Sequence, residues 1–371
     1  MKERRVQVYL RQRLVGTLAE TADHRVAFAY SEEWLADGYA ISPFSLPVEQ
    51  KVFVPLGTTF RGLWGVFADS LPDAWGELLV SRMLKIRGLS SGDISPLERL
   101  AIVGESGMGA LTYRPAWVLH KDAAFPDLDA LCRNSQAILN QQAVDNIDDL
   151  FALGGSSGGA RPKVTTDEWI IKFPASGDMQ DSGLMEKEYM DCAKTCGIIV
   201  PETKLMPSKQ CGGYFAVRRF DRDGTQRRHV LTAAAILEVD WRTASLDYHT
   251  LFKMTRILSR DHRADMEQMF RLMCFNVFAH NRDDHAKNFS WIYDEQQDCW
   301  HPSPAYDLTW SSTYFGEHST TVDGNGRNPG MAELLAVGKG GGMSARACFD
   351  IAQEIKERTE PIERKYQDVR S

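Results

Sequence analysis

The 371 residues predict an α+β protein of two or three domains. Three observations carry that prediction. Short β-rich runs crowd the first thirty residues. Apolar residues recur at three-to-four spacing from Leu63 to Val103 and again from Tyr248 onward. A strand pattern returns in between, at Trp169 to Phe173 and Tyr214 to Arg222.

Val6 to Leu10 and Leu14 to Leu18 bracket Arg11-Gln12-Arg13, and Arg25 to Tyr30 adds a third run, so the N-terminus reads as an antiparallel meander. Helices are expected at Leu63 to Ala68, from Pro72 through Lys85 with Pro72 as a first-turn proline, and near Leu97 to Val103. Gly104 to Gly109 reads as a flexible turn, because no lysine or helix signal follows it as phosphate binding requires. Pro115 to Pro126 resembles a linker, which puts a boundary near residue 120. A helix from Leu128 to Leu139 opens the second part.

Composition bounds the function. A net charge of −7 argues against a chain whose main work is gripping phosphate backbones. Seven cysteines without a Cys-x2-Cys pair suit free thiols in a reducing compartment. No apolar stretch approaches 18 residues, and Met1 to Arg5 leads into a strand pattern instead of a signal peptide's apolar run. A cytoplasmic protein is expected.

Gly154-Gly155-Ser156-Ser157-Gly158-Gly159 packs four glycines and two serines into six residues. Small side chains and permitted positive φ let backbone N–H groups turn toward phosphate oxygens. Ala160 and Arg161 stand where a Walker loop needs Lys and Ser/Thr, so a plain linker is the competing reading. Further on, Lys172 interrupts the apolar run Trp169-Ile170-Ile171-Lys172-Phe173. A lysine there sits at an exposed edge or is held by an anion. A helix from about Gly183 to Cys196 offers Glu188 as its carboxylate partner, with Glu186 as the second choice.

Met266, Met269, Phe270, Met273 and Val277 fall at helical spacing, and Leu272, Cys274, Phe275 and Phe278 fill the other sides. This buried helix delivers His280-Asn281-Arg282-Asp283-Asp284-His285-Ala286-Lys287-Asn288 to a loop. Asp283 and Asn288 have the interval of a protein-kinase catalytic loop, and Asp307 follows in the position of its second metal-binding acid. A carboxylate suits a base for a hydroxyl proton, and an amide oxygen with a second carboxylate suits Mg²⁺. A loop whose Asp and Asn only satisfy backbone groups remains the plainer alternative. Glycine loop, strand lysine, helix glutamate, Asp-x4-Asn and a second Asp nevertheless occur in kinase order.

The chain resembles the HipA-family serine/threonine kinases, toxins of bacterial toxin–antitoxin pairs. The resemblance runs over nearly the whole sequence, through Ser70-Leu71-Pro72-Asp73, Gly104-Glu105 to Gly109-Ala110, Gly158 to Lys163, Ile171 to Pro174 and Arg219 to Arg222. Asp283 to Phe289 and Ser303 to Asp307 are its most diagnostic stretches. It implies a small β-rich and helical N-terminal subdomain followed by a bilobal kinase-like domain with a mostly α C-terminal lobe. The expected divisions are 1–120 for regulation and partner binding, 121–225 for ATP and 226–371 for the catalytic loop.

By the same resemblance, Asp283, Lys172 and Glu188 form the catalytic set, and Asn288 and Asp307 hold Mg²⁺. Gly155, Ser156, Ser157, Gly158, Gly159 and Ala160 line the nucleotide with Lys172, and Phe220, Asp221, His285 and Lys287 complete that set. Ser156 is the self-phosphorylated serine. ATP and Mg²⁺ are the implied cofactors. A helix-turn-helix antitoxin of the HipB type is the implied partner, contacting DNA itself, and the implied substrate is a translation protein such as an aminoacyl-tRNA synthetase. Arg218 stands where the family often has Glu.

Two other classes compete. A metal-dependent phosphohydrolase would gather His280, Asp283, Asp284, His285 and His301 around two metals. A kinase-fold binding module without activity would keep only the antitoxin complex.

Overall fold

The computed structural model describes residues 4–119, 127–142, 144, 147–175, 181–243, 246–313 and 316–366. They form two compact units, one of residues 1–183, 204–231 and 235–238, the other of 184–203, 232–234 and 239–371.

In the first unit, Arg5–Leu10 and Arg13–Glu20 make the expected hairpin. Arg11 and Gln12 turn it with φ of 48° and 75°, the positive values that a two-residue primed turn needs. Val6, Val8 and Leu10 alternate inward. The sheet runs Val52–Phe53, Val26–Tyr30, Arg13–Glu20, Arg5–Leu10, Leu111–Arg114, with antiparallel neighbours throughout. The Pro96–Val103 helix begins with a full capping box between Ser95 and Glu98.

Pro72 is not the first-turn proline that its spacing suggested. The helix runs Ala74–Ile86, and Asp73 is its extended N-cap residue, whose side chain caps no N–H of the helix. Trp75, Leu79, Val80, Met83 and Leu84 of that helix enter one buried cluster with Leu131, Ile138, Leu150, Phe151, Val164, Ile171, Phe173 and Tyr214. The core therefore crosses the expected boundary near residue 120 without a break; residues 120–126 themselves lie outside the described set. Its β-layer is a four-stranded sheet in the order Lys163–Thr165, Trp169–Lys172, Tyr214–Arg218, Thr203–Met206.

The second unit is mostly helical. Ser182–Thr195, Tyr248–Leu258, His262–Phe278, Met331–Gly340 and Ala345–Lys365 are its main helices, with a hairpin of Ser290–Asp294 and Cys299–Pro302. His262–Phe278 is the expected core helix and buries Met266, Met269, Phe270, Met273, Cys274 and Phe275. The charged segment from Thr359 is helical to Lys365. Cys348, Ile351, Ala352, Ile355, Thr359 and Ile362 are buried at three-to-four spacing, and that stripe continues the helix past Pro361. All seven cysteines are unpaired. No helix among the described residues is long and apolar enough to cross a membrane.

Candidate active site

In the first unit, the Ile147–Gly154 helix runs straight into the glycine-rich loop. Ser157 is buried and turns back on that helix, its Oγ donating to the Gly154 carbonyl at 2.6 Å. Ser156 is half-buried, and its hydroxyl donates to the Ser106 carbonyl at 2.9 Å. Gly155 is buried, whereas Gly158 and Ala160 are exposed. Gly159 has φ of +79°, where glycine avoids the strain of a side chain. Lys163 Nζ donates to the Gly158 carbonyl at 2.6 Å and closes the loop on itself.

Lys172 pairs in register with Lys163 on one side and Phe215 on the other. It therefore lies on an inner strand, not at an edge. Its ammonium sits 5.5 Å from the centre of the Phe215 ring.

Asp221, expected at the nucleotide, has its carboxylate committed to arginines and a backbone N–H of its own unit. Its side chain is fully buried, with Oδ1 on Arg219 Nε at 2.9 Å and Oδ2 on Arg219 at 2.8 Å, on Arg222 at 2.5 Å and on the Gly109 N–H at 2.9 Å. Burial alone raises a carboxyl pKa, but here Arg219 and Arg222 outweigh it and hold Asp221 below its ordinary value. Arg222 and Arg227 donate in turn to the Gly107 and Gly109 carbonyls. The turn at 104–109 is thus a clamped element instead of the flexible one expected. Phe220 beside it is half-buried.

In the second unit, two adjacent acids have opposite surroundings. The Asp283 side chain is 57% exposed, whereas that of Asp284 is 0% exposed. Asp284 accepts from His318 Nδ1 at 2.9 Å, Tyr248 Oη at 3.2 Å and the Thr320 N–H at 3.1 Å, and its carbonyl accepts from the Thr320 hydroxyl. Burial, reinforced by the Asp284 charge, pushes the Tyr248 phenol up, so it stays a donor. Asn276 donates to Tyr248, and Asn281 to Asn276, both at 2.9 Å, which ties the loop to the core helix.

Asn288 reaches back across the loop, its Nδ2 donating to the Asp283 carbonyl at 2.6 Å. His285 Nε2 lies 3.8 Å from Asp283 Oδ1, while its Nδ1 accepts from the Lys287 N–H at 3.2 Å. The Tyr306 hydroxyl donates to the Lys287 carbonyl at 2.6 Å and accepts from Ser290 at 2.5 Å, pinning the segment that carries Asp307 to the loop. Asp307 itself has φ of +54°, uncommon for a residue with a side chain. The Trp241 ring lies tilted against His285, 4.9 Å between centroids at 48°, with the Lys287 ammonium 5.6 Å from the same Trp241 ring.

Glu188 is engaged elsewhere than expected. Its carboxylate binds Lys365 Nζ at 2.6 Å and the Tyr366 hydroxyl at 2.8 Å. Burial pushes its carboxyl up, but these two donors prevail and lower it. Of the two glutamates on that helix, Glu186 is the buried one, at 2% exposure.

The phosphohydrolase constellation is dispersed. His280 pairs with Glu363 at 3.2 Å, His301 with Asp265 at 2.9 Å, and Asp284 serves as a buried anchor. Among the described residues, no group of three or more His, Cys, Asp or Glu could hold a metal ion.

Asp284 as an anchor, Tyr306 as a staple and Trp241 beside His285 are contacts that residue spacing did not reveal. Only Tyr306 had a signal, its place beside Asp307.

These elements define a mixed helix-and-sheet chain of kinase-like fold. The chain belongs to the HipA family: the HipA-like C-terminal domain matches residues 155–362 and the HipA N-terminal domain matches residues 6–114. Y4dM of Sinorhizobium fredii, a protein with a kinase designation, is 26% identical over 374 residues, covering 93% of this chain and 87% of that protein. Y4mE of the same organism, likewise designated, is 25% identical over 345 residues, covering 85% and 79%. Among solved structures, HipA of the Shewanella oneidensis MR-1 toxin–antitoxin system, in complex with HipB and operator DNA, matches with a TM-score of 0.74. It covers 97% of this chain and 90% of that one at 17% identity, a likeness of fold.

Proposed function

We propose that this chain is an ATP-dependent serine/threonine protein kinase, the toxin of a toxin–antitoxin pair. The observation that carries the reading is the contrast between its two adjacent acids. Asp284 is buried and holds the loop through four hydrogen bonds, which leaves Asp283 as a solvent-facing carboxylate on a fixed backbone. An acid presented that way is preorganised to accept a hydroxyl proton.

Asp283 is the base in this reading. The Asn288 amide nitrogen already donates to the loop, so its oxygen is the atom left for a cation, and Asp307 adds a carboxylate. An amide oxygen and a carboxylate fit Mg²⁺, which takes few protein ligands beside phosphate oxygens. When bound, Mg²⁺ neutralises charge on the phosphates. In this reading Lys172 and the loop amides of Gly158 and Ala160 meet the phosphates, and His285 and Lys287 support the loop that carries Asp283. The helix carboxylate of this reading is the second choice, Glu186, because Glu188 is held by Lys365 and Tyr366.

Ser156 is the self-phosphorylation site in this reading, because Ser157 is buried whereas Ser156 is only half-buried. The partner is a helix-turn-helix antitoxin of the HipB type, a reading the Shewanella complex supports, with DNA met through the antitoxin. The substrate is a translation protein such as an aminoacyl-tRNA synthetase. Transfer of the ATP γ-phosphate to protein, present with Mg²⁺ and lost with EDTA, is the test; ATP hydrolysis without transfer, or no turnover in either condition, refutes it.

A further inference from the structure

The glycine-rich loop rests on the first turn of the Ala74–Ile86 helix. Asp73 N–H donates to the Ser157 carbonyl at 3.3 Å, and Trp75 N–H donates to the Gly159 carbonyl at 3.2 Å. In return the Gly159 N–H donates to Asp73 Oδ2 at 3.1 Å. Trp75 Nε1 donates to the Lys163 carbonyl at 3.0 Å, where the loop becomes a strand. First-turn amides have no partner within their own helix, and here the loop carbonyls serve two of them.

Two glycines make this approach possible. A Cβ on Gly76 would stand 2.8 Å from the Ser157 carbonyl oxygen and 3.0 Å from that of Gly155. One on Gly158 would stand 3.2 Å from Asp73 Oδ2.

The seat has a directional consequence. In a trans peptide the C=O of one residue and the N–H of the next point in opposite directions. With the Ser157 and Gly159 carbonyls facing the helix, the N–H groups of Gly158 and Ala160 face away from it, and both residues are exposed. The third amide, that of Gly159, is held by Asp73. The helix turn therefore sorts the loop amides into one that anchors and two that are presented to an anion.

We propose that Asp73 and Gly76 are positioning residues for the nucleotide phosphates, acting through the loop amides of Gly158 and Ala160. The inference rests on the kinase reading and adds to it a role for the segment before residue 120. Neither residue touches the nucleotide.

The full-length protein and its Asp73→Ala, Asp73→Asn and Gly76→Ala variants would be compared by calorimetric titration with ATP and with adenosine. Hydrogen exchange of residues 155–163 would be followed without nucleotide. Asp73→Ala and Gly76→Ala should weaken ATP about tenfold, leave adenosine unchanged and speed exchange across the loop. Asn retains an acceptor oxygen, so Asp73→Asn should restore most of the affinity.

Equal weakening of ATP and adenosine would mean a general structural role and overturn the proposal. Tighter ATP binding in Asp73→Ala would mean that the carboxylate competes with phosphate, which also overturns it, as would unchanged affinity in both variants. A wild-type protein that binds no ATP would refute the kinase reading, and this role with it, while the exchange data would still report whether the seat exists.

Discussion

Removing residues 1–127 would take Trp75, Leu79, Val80, Met83 and Leu84 out of a core they share with the strands carrying Lys163 and Lys172. Fully burying a large apolar side chain contributes about 1.5–3 kcal/mol, so these five together account for on the order of 8–15 kcal/mol. That is as large as the whole stability of a typical domain, about 5–15 kcal/mol. The Lys163 carbonyl would also lose its bond from Trp75 Nε1. A chain starting at Leu128 is therefore expected to be insoluble or molten, in contrast to an N-terminal segment that is simply a docking module. The milder perturbation, Trp75→Ala in the full-length protein, should cost about 3–5 kcal/mol and shift a urea unfolding midpoint accordingly. Circular dichroism and urea titration of both variants decide the matter. A truncated chain that unfolds cooperatively with a midpoint near that of the full-length protein would refute the shared-core reasoning.

Asp284→Ala should destabilise by about 3–5 kcal/mol, because His318 and Tyr248 would be left buried without their acceptor; a variant as stable as wild type in thermal unfolding contradicts the anchor role. Burial pushes the Glu238 carboxyl up to about 7, against the bonds it accepts from the Gly65 N–H. Because the folded-state value exceeds the unfolded 4.5, its contribution is complete below about pH 4.5 and is lost as pH rises through 7. Glu238→Gln should accordingly flatten the fall in Tm between pH 5 and 8, and an unchanged slope would show that Glu238 does not cause it. Incubation with ATP and Mg²⁺ should place phosphate on Ser156 by mass spectrometry. The added charge of about −1.5 to −2 and loss of the hydroxyl donor to Ser106 should release the loop and lower ATP affinity; phosphate found only at other sites, or full ATP affinity in the modified protein, contradicts this.

The sequence was most informative where local chemistry decides. Leu128–Leu139 has the bounds that periodicity suggested, and Tyr248–Leu258 starts where the helical spacing resumes, with an Asp247 cap that accepts from the His249 N–H. The hairpin at Arg11-Gln12 and the buried helix before Asp283 were legible for the same reason. What escaped depends on distant partners. Asp221 looks like any polar strand end until Gly109 arrives from 112 positions away. Glu188 and Glu186 are two residues apart on one helix, and Lys365 and Tyr366, from the far end of the chain, engage Glu188. Asp73 fell inside the helix expected from Pro72 through Lys85, yet its carboxylate serves a loop 86 positions on. Spacing names candidates for a site; the long-range hydrogen bonds determine which of them structure already occupies.

The proposed role of Asp283, exposed on a loop held by its buried neighbour, is that of the base in a phosphoryl transfer. It is tested most directly by measuring γ-phosphate incorporation into protein with wild type and Asp283→Asn under the same Mg²⁺ and ATP concentrations, with circular dichroism alongside. The substitution should lower the rate by about 10²–10⁴-fold and leave the fold and Tm intact, since the side chain is exposed and the loop contact from Asn288 goes to its carbonyl. A folded Asp283→Asn protein that transfers phosphate at the wild-type rate would contradict the account.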